Sequence, residues 1–589
     1  MTTSSRRRLV GVIGLVFSAL VYAGTLFWAL LTAAPGPLRA IRKFAWHDQL
    51  GYLSMVSNVS DGDLGNHEPV TETGVNHYPR AYYTAVGLVA RILGLEPITA
   101  WNLVSLTLQL AAVVALALCL IRVSRRSWAG FFAPLPFFTG VLAFTAPDGE
   151  GWYRPLSSHA VLWGPYGVMF SNNAETAGLC LIIVALSALA AVWLRPTRPT
   201  ARAVVSAGAM AVLGVLSSFQ TYSFLTGAYV VAFTVAAMFL VRPGRRWWVA
   251  STVLAVPVLF VIGPVVATSA GQLPTLVLGM LPAVPGLIRG VLITRGRLAA
   301  CAAVFAVAAA PQILWTLSGI REGDPFLTYR VASNVDLGVA RPDALFAATV
   351  VALPLFVVLA IAIHRRVAAS VALTAAAATV WVVLSLNDLW GANAEPYRFW
   401  IDCFLFCGVL TLVAGANLVG SRGPDAGTRR RLSATKALAA VCALVYVVGL
   451  SDLVHFTRDT EMLQTWNPDS PNAAAAADLA RSTESVDDRL LMVDHCLDDR
   501  TIKATSGAAM VFYYLGMAWP ENRDAVQEVM DARFNKQKIT PEMAEAADVG
   551  WLLLDSRCTV HAGVIGEPGE LVAEREYAPG QTLQLRRLP

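Results

Sequence analysis

The sequence predicts an all-α polytopic membrane domain of about 13 transmembrane helices over residues 1–451, followed by a small α/β domain outside the membrane over residues 452–589. Three observations predict it. Of the 589 residues, 56% are hydrophobic and only 14% charged, where soluble globular chains carry about 25% charged residues. Apolar runs of about 20 residues, the length that crosses a bilayer, recur from residue 9 to residue 451. Arginine clusters stand at every second junction between those runs, and basic excess marks cytoplasmic loops.

The first run, Leu9 to Thr32, follows Arg6, Arg7 and Arg8. Its length of about 24 residues exceeds the 7–15-residue core of a cleaved signal and reads as a retained helix. Further spans are expected at 99–121, 129–146, 174–194, 202–218, 223–241, 248–268, 275–294, 298–318, 344–363, 368–386, 398–419 and 434–451. The Arg clusters at 6–8, 122–126, 195–202, 242–246, 295–297, 365–366 and 422–431 put the N-terminus in the cytoplasm and the C-terminal domain outside a plasma membrane. The outer loops are then 34–98, 147–173, 319–343 and 387–397. Basic residues that separate apolar runs, instead of covering a folded soluble face, argue against nucleic acid as a partner.

The first outer loop carries the densest chemistry. Asp48 stands in Trp46-His47-Asp48-Gln49-Leu50-Gly51-Tyr52, Glu68 and Glu72 follow, and His77-Tyr78-Pro79-Arg80 leads into a second amphipathic stretch. Asp48 reads either as a helix N-cap or as a general base. Glu68 and Glu72 read as second acids or as solvated loop residues. His77 and Arg80 at a helix N-terminus suit an anionic headgroup. The next loop repeats the style with Glu150 and Arg154 around Trp152 and Tyr153, and Asn172, Asn173 and Glu175 open the following span. The last loop runs Glu395-Pro396-Tyr397-Arg398 into a span; an Arg against the positive-inside bias implies an anionic partner, and its planar fork matches phosphate. The remaining span interiors are nearly free of charge. No His/Cys metal spacing, phosphate-cradling Gly-rich loop or nucleophile elbow occurs, so no metal site is indicated and no cofactor is called for.

In the tail, Arg489–Asp494 and Gly550–Asp555 read as buried parallel strands, with helical patterns at 503–516, 521–534 and 541–547. A terminal hairpin follows around Pro579-Gly580. Cys496 and Cys558 fall just past the two strands, either as a disulfide or as two free thiols. The six other cysteines lie in apolar runs and read as core residues.

An acid in the first outer loop, Asp48, followed by Glu72 and His77-Tyr78-Pro79-Arg80, resembles the membrane glycosyltransferases of the GT-C superfamily. The last stretch is similar to the His/Lys-Pro-Pro element of the protein mannosyltransferase and aminoarabinose transferase branch. Asp48 is followed by Gln49 where the branch has a second acid, and Pro79 stands alone where it has two prolines. The resemblance extends in layout over the first 240 residues or so, and to Arg398 by analogy. It implies a polyprenyl-phosphate sugar donor, with Asp48 as the base of an inverting transfer. Arg398, Arg80 and Arg154 would meet the phosphate, and His77, Glu72, Glu150, Tyr397 and Glu395 would help bind substrate. The Arg-over-Lys, Ala- and Val-rich composition looks actinobacterial, which points to a cell-envelope glycan or lipoglycan acceptor. Two rival classes are a lipid-linked glycan transporter or flippase, which predicts internal repeats and ionisable residues within spans, and a non-catalytic envelope assembly protein.

Overall fold

The computed structural model describes residues 3–34, 36–42, 46–139, 165–333, 349–421, 465–466, 471–484 and 489–589, with isolated positions between 440 and 447. In hydrocarbon, backbone N–H and C=O groups have no water to bond, so an apolar run folds as a helix that satisfies them internally. Among the described residues ten helices are long and apolar enough to cross a membrane: Ser5–Leu26, Pro97–Ser124, Ala174–Trp193, Pro199–Ser218, Thr221–Leu240, Arg246–Ala270, Gln272–Ile293, Arg297–Glu322, Ala368–Ser385 and Arg398–Gly420.

Three of the expected spans are not among these ten. The run 129–146 begins as a 3-10 turn, Ser127–Phe132, and a single helical turn, Leu135–Phe138. Pro134 and Pro136 withhold two backbone donors there, which interrupts an α-helix. The run 344–363 yields a shorter helix, Thr349–His364. The run 434–451 lies outside the described residues except at isolated positions.

The chain forms two compact units. The first comprises Met1–Trp28, Ser105–Ile313 and Val331–Met462. Its Ala368–Ser385 helix packs along Pro396–Gly420, joined by Trp381, which meets Trp400 edge-to-face at 5.8 Å and Phe404 at 6.1 Å. Such pairs add to the burial of their large apolar area. The loop joining these helices closes on Asn387, fully buried. Its Nδ2 donates to Leu384 O, its Oδ1 accepts from Ala394 N at 2.7 Å, and its carbonyl accepts from Ala392 and Asn393. The chain then enters the next helix through Glu395, whose backbone is left-handed at φ 38°.

The second unit comprises Ala29–Val104, Leu314–Arg330 and Leu463–Pro589, so the first loop groups with the tail. Its two amphipathic stretches are helices, Trp46–Asp61 and Ala81–Leu93. They cross closely at Gly87, where a Cβ would lie 2.6 Å from Val59 Cβ and 2.7 Å from the Val56 carbonyl oxygen. The tail holds a four-stranded sheet. Leu490–Val493 pairs in parallel with Val549–Asp555, and Gln581–Arg587 pairs antiparallel with both Val549–Asp555 and Glu570–Ala578. Helices Arg523–Phe534 and Pro541–Ala546 follow the expected pattern. The expected 503–516 helix instead runs Asp499–Ser506 and stops at Gly507, a left-handed C-cap at φ 84°, where glycine meets no Cβ penalty. Beyond it, Val511 donates to Leu491 O and Met510 to Val70 O. Cys496 and Cys558 form a disulfide with Cα atoms 5.6 Å apart.

Two acids of the first loop are spent on this unit. Glu72 accepts from Lys503 Nζ at 2.8 Å, and that lysine is wholly buried. Glu68 is also wholly buried. Its Oε2 accepts from the Val70 and Thr71 amides and the Thr71 hydroxyl, while Oε1 has no hydrogen-bond partner among the described residues. Burial pushes its pKa up to about 7 against these bonds. A carboxyl whose folded pKa exceeds its unfolded one stabilises the fold fully below the unfolded value and loses that contribution as pH rises through the folded one. Stability is therefore expected to fall by about 3 kcal/mol between pH about 4.5 and 7 on this account. Unfolding of the purified protein across that range, followed by tail tryptophan fluorescence, should show the slope in wild type and a flattened one in Glu68→Gln.

Candidate active site

Within the second unit, Asp48 lies exposed in the first turn of Trp46–Asp61. That position also favours a carboxylate through the helix dipole. One turn on, Tyr52 shares its face of the helix and stacks on Tyr83, with centroids 4.8 Å apart and planes 8° from parallel. Tyr52 also stacks on Tyr78 at 6.5 Å, the two hydroxyls 3.5 Å apart. Tyr52 thereby packs against the start of Ala81–Leu93, while Asp48 one turn before it stays exposed.

Arg80 is the N-cap of that second helix, which no side chain caps. The first-turn N–H groups are left uncapped, an arrangement that attracts anions, and the residue at that helix end, Arg80, carries a cation. Arg80 is half-buried and donates to Leu64 O at 3.3 Å. Burial draws its pKa down, with Asp63 opposing. Asp63 in turn feels burial, but the Gly65 amide and His67, at 2.6 Å, outweigh it and hold the carboxyl below its usual range. His77 points elsewhere. It is buried, its Nδ1 is 3.2 Å from Trp315 O, its ring packs on Trp315, and its Nε2 lies 3.9 Å from Asp324. These contacts account for His77 as a tie between segments of this unit, as the Lys503 pair accounts for Glu72.

The first unit holds a second polar cluster. Arg398 donates from Nη1 to Glu175 Oε2 at 3.5 Å, and its Nε pairs with Glu395. Its guanidinium also lies 5.0 Å from the Tyr222 ring, which meets Phe399 edge-on. One turn further along each helix, Thr226 donates to Asp402 Oδ2 at 3.1 Å. Asp402 is fully buried and its Oδ1 has no hydrogen-bond partner among the described residues. Charge within an apolar span is costly and marks function more often than packing. The expectation that spans are nearly free of internal charge meets its exception here. The one sequence signal, an Asp inside an apolar run beginning at Arg398, was readable, whereas Tyr222 and Thr226 looked like ordinary span residues.

Glu150 and Arg154 lie outside the described residues, as does the side chain of Tyr397. Among the described residues no three His, Cys, Asp or Glu side chains converge as metal ligands would.

No protein-family model matches the chain, and no curated protein matches it. Among solved structures it is similar to the archaeal oligosaccharyltransferase AglB from Archaeoglobus fulgidus, in complex with an inhibitory peptide and a dolichol-phosphate. The TM-score is 0.48 at 10% identity, over 93% of this chain and 69% of that one. It is also similar to ArnT from Cupriavidus metallidurans in the apo state, with TM-score 0.45 and 13% identity over 97% of each chain. A structure of the same ArnT bound to undecaprenyl phosphate gives 0.43 and 12%, over 99% of this chain and 98% of that one. No residue role passes from these structures to this chain.

Proposed function

We propose that this protein is a membrane glycosyltransferase. It moves a monosaccharide from a polyprenyl-phosphate donor to a cell-envelope glycan or lipoglycan acceptor at the outer face of the plasma membrane, with its N-terminus in the cytoplasm and its tail outside. The observation that carries this reading is the pairing, on adjacent helices, of an exposed carboxylate with an uncapped, arginine-bearing helix N-terminus. Asp48 supplies the first and Arg80 the second, and the Tyr52–Tyr78–Tyr83 stack holds the helices in register.

Asp48 acts as the general base of a single inverting displacement. The acceptor hydroxyl has a pKa far above neutrality and must lose its proton as its oxygen attacks the anomeric carbon. Asp48 takes that proton while the bond from the anomeric carbon to the phosphate oxygen breaks and its electrons leave with the lipid phosphate. Positioned proton transfer contributes about 10²–10⁴-fold. The leaving phosphate is already a good leaving group, so cationic stabilisation of its charge suffices. Arg80 and the helix N-terminus beside it take that part. Arg398, given the phosphate from sequence, is already paired with Glu175 and Glu395, whose two carboxylates outweigh its charge; its part is to order that cluster.

A lipid-linked glycan transporter remains the second reading, favoured by Asp402, an ionisable residue inside a span. Proteoliposomes fed a radiolabelled polyprenyl-phosphate hexose separate the two, because transfer releases label from the lipid phosphate and transport leaves it attached. In the same assay Asp48→Asn should retain donor binding while turnover falls about 100-fold or more; normal turnover would remove Asp48 from the chemistry. Arg80→Lys keeps the charge but loses the planar fork. It should weaken donor binding about tenfold, with a smaller effect on an uncharged acceptor. Unchanged donor affinity would take the phosphate away from Arg80.

A further inference from the structure

We propose that Arg245, Arg246 and Arg289, with the groove below them on Arg246–Ala270, bind an anionic phospholipid, its phosphate at the arginines and an acyl chain in the groove. The argument begins with a charge imbalance. From Thr176 to Arg321 the chain holds no Asp or Glu, so the helices Thr221–Leu240, Arg246–Ala270 and Val284–Ile293 offer these arginines no carboxylate. Arg289 keeps only 6% of its surface. It donates to the carbonyls of Arg242, at 3.3 Å, and Pro243, which hold the turn before Arg246–Ala270 and leave the charge uncompensated. Gly244 follows, where a Cβ would lie 3.9 Å from Arg289 Nη2. Arg245 and Arg246 come next, both exposed, with one hydrogen bond from Arg245 to Val241 O at 3.0 Å. Among the described residues none of the three has an ion pair. A buried charge without a counter-charge is costly. Arg245 and Arg246 also stand at the positive, N-terminal end of their helix, which disfavours a cation and favours an anion.

Two cavities meet at these arginines. One, of about 600 Å³, runs down the helix past Val249, Val253, Leu254 and Pro257. The other, of about 580 Å³, lies over the turn and is bordered by Val241, Pro243, Gly244 and Trp247. Arg245 and Arg246 line both. The groove follows from spacing. Arg245, Val249, Val253 and Pro257 form one row of every fourth residue, Arg246, Ala250 and Leu254 the next, and such rows are ridges with a furrow between them. Ala250 keeps the second row low, and Val253 and Leu254 are each 65% exposed. From Arg245 to Pro257 the furrow is about 18 Å long at roughly 1.5 Å per residue, slightly more than half of the roughly 30 Å hydrocarbon core of a bilayer. The occupant is therefore an amphiphile with an anion at its neck and one leaflet's length of chain. Inorganic phosphate would leave the furrow unused. A zwitterionic lipid would bring an ammonium to a turn that has three cations and no acid. Positive-inside bias assigns this end of the helix to the cytoplasmic leaflet, where basic pockets take anionic headgroups. The site does not depend on the glycosyl-transfer reading.

The test uses the full-length protein in detergent, with native mass spectrometry comparing retention of phosphatidylglycerol, phosphatidylethanolamine and phosphatidylcholine of matched acyl chains. Phosphatidylglycerol should bind at least about tenfold more tightly than either of the others. The double variant Arg245→Gln, Arg246→Gln changes two exposed side chains and should weaken that binding about 30-fold, the product of two interfacial arginines. Ala250→Trp fills the furrow, leaves the arginines in place, and should weaken it about tenfold. Arg295→Gln with Arg297→Gln, exposed beyond the Gly290 end that packs on Phe239 and outside both cavities, should change it by less than about twofold. An equal loss in that control would reduce the effect to general attraction between arginines and anionic lipid, and would overturn the site. Equal retention of the zwitterionic lipids or unchanged binding in the Arg245/Arg246 variant would overturn it too. Displacement by inorganic phosphate would make it a free-phosphate site instead, and unchanged binding in Ala250→Trp would remove the acyl chain from the groove. Phosphatidylglycerol should also raise the melting temperature of the wild type, because it binds the folded state, and raise that of Arg289→Gln less. An equal rise takes Arg289 out of the site. If Arg289→Gln fails to fold, Arg289 is a tie for the turn and the assignment falls for that residue, while the exposed pair still decides the site.

Discussion

A charge taken out of water has to find its partner within the chain, and that constraint explains most of what is distinctive here. Lys503 has no exposed surface. An ammonium buried alone would be too costly to keep charged, and Glu72 and the Gly507 carbonyl are what it finds. The glutamate comes from the first loop and the lysine from the tail, more than 400 residues later. Removing one member of a buried pair strands the other, so each pins the segment that carries its partner. Glu175 and Glu395, both nearly buried, solve the same problem in the first unit by sharing the Arg398 guanidinium.

How much of this was legible in the sequence depended on the range of the interaction. Helices set by apolar length were readable to within a few residues, because hydrocarbon leaves the backbone no alternative. Both tail strands were readable as short, continuous apolar runs. The failures are local and chemical. Pro134 and Pro136 broke a run that hydropathy alone would extend, and Gly507 ended a helix that periodicity carried on to 516. The pairing of Glu72 with Lys503 could not be seen, since nothing local to either residue names the other. Asp48 and Arg80 could be singled out from their neighbours, whereas Asp402 matters because of Thr226 on another helix.

The loop between Ala368–Ser385 and Pro396–Gly420 shows how backbone geometry serves a side chain. Gly391, Asn393 and Glu395 all adopt positive φ, a conformation that only glycine takes without cost. Asn387 holds the loop closed from within and so over-determines it. Strain of this kind persists where surrounding bonds enforce it and tends to gather at functional sites. Its effect here is to set the Glu395 carboxylate against Arg398 only three residues later, before a regular helical turn would present it.

The grouping of the first loop with the tail changes what the tail is for. A module that binds an acceptor would need only its own surface, yet this one is threaded through the loop. Val70 accepts from Met510, Glu72 from Lys503, and Thr73 from the Glu521 amide. Gly74 passes so near Trp519 that a Cβ there would come within 2.9 Å of its carbonyl oxygen. Residues 314–330 join the same unit, with Phe326 and Tyr329 packed on Trp519 and Trp315 on His77. These contacts flank the stretch 77–80 on its N-terminal side, and the tyrosine stack flanks it on the other. An arginine at a helix N-terminus binds an anion well only if both the guanidinium and the amides are already in place, because ordering them at each encounter would cost binding energy. The tail therefore works as the mount for the first loop, which it holds at residues 70–74.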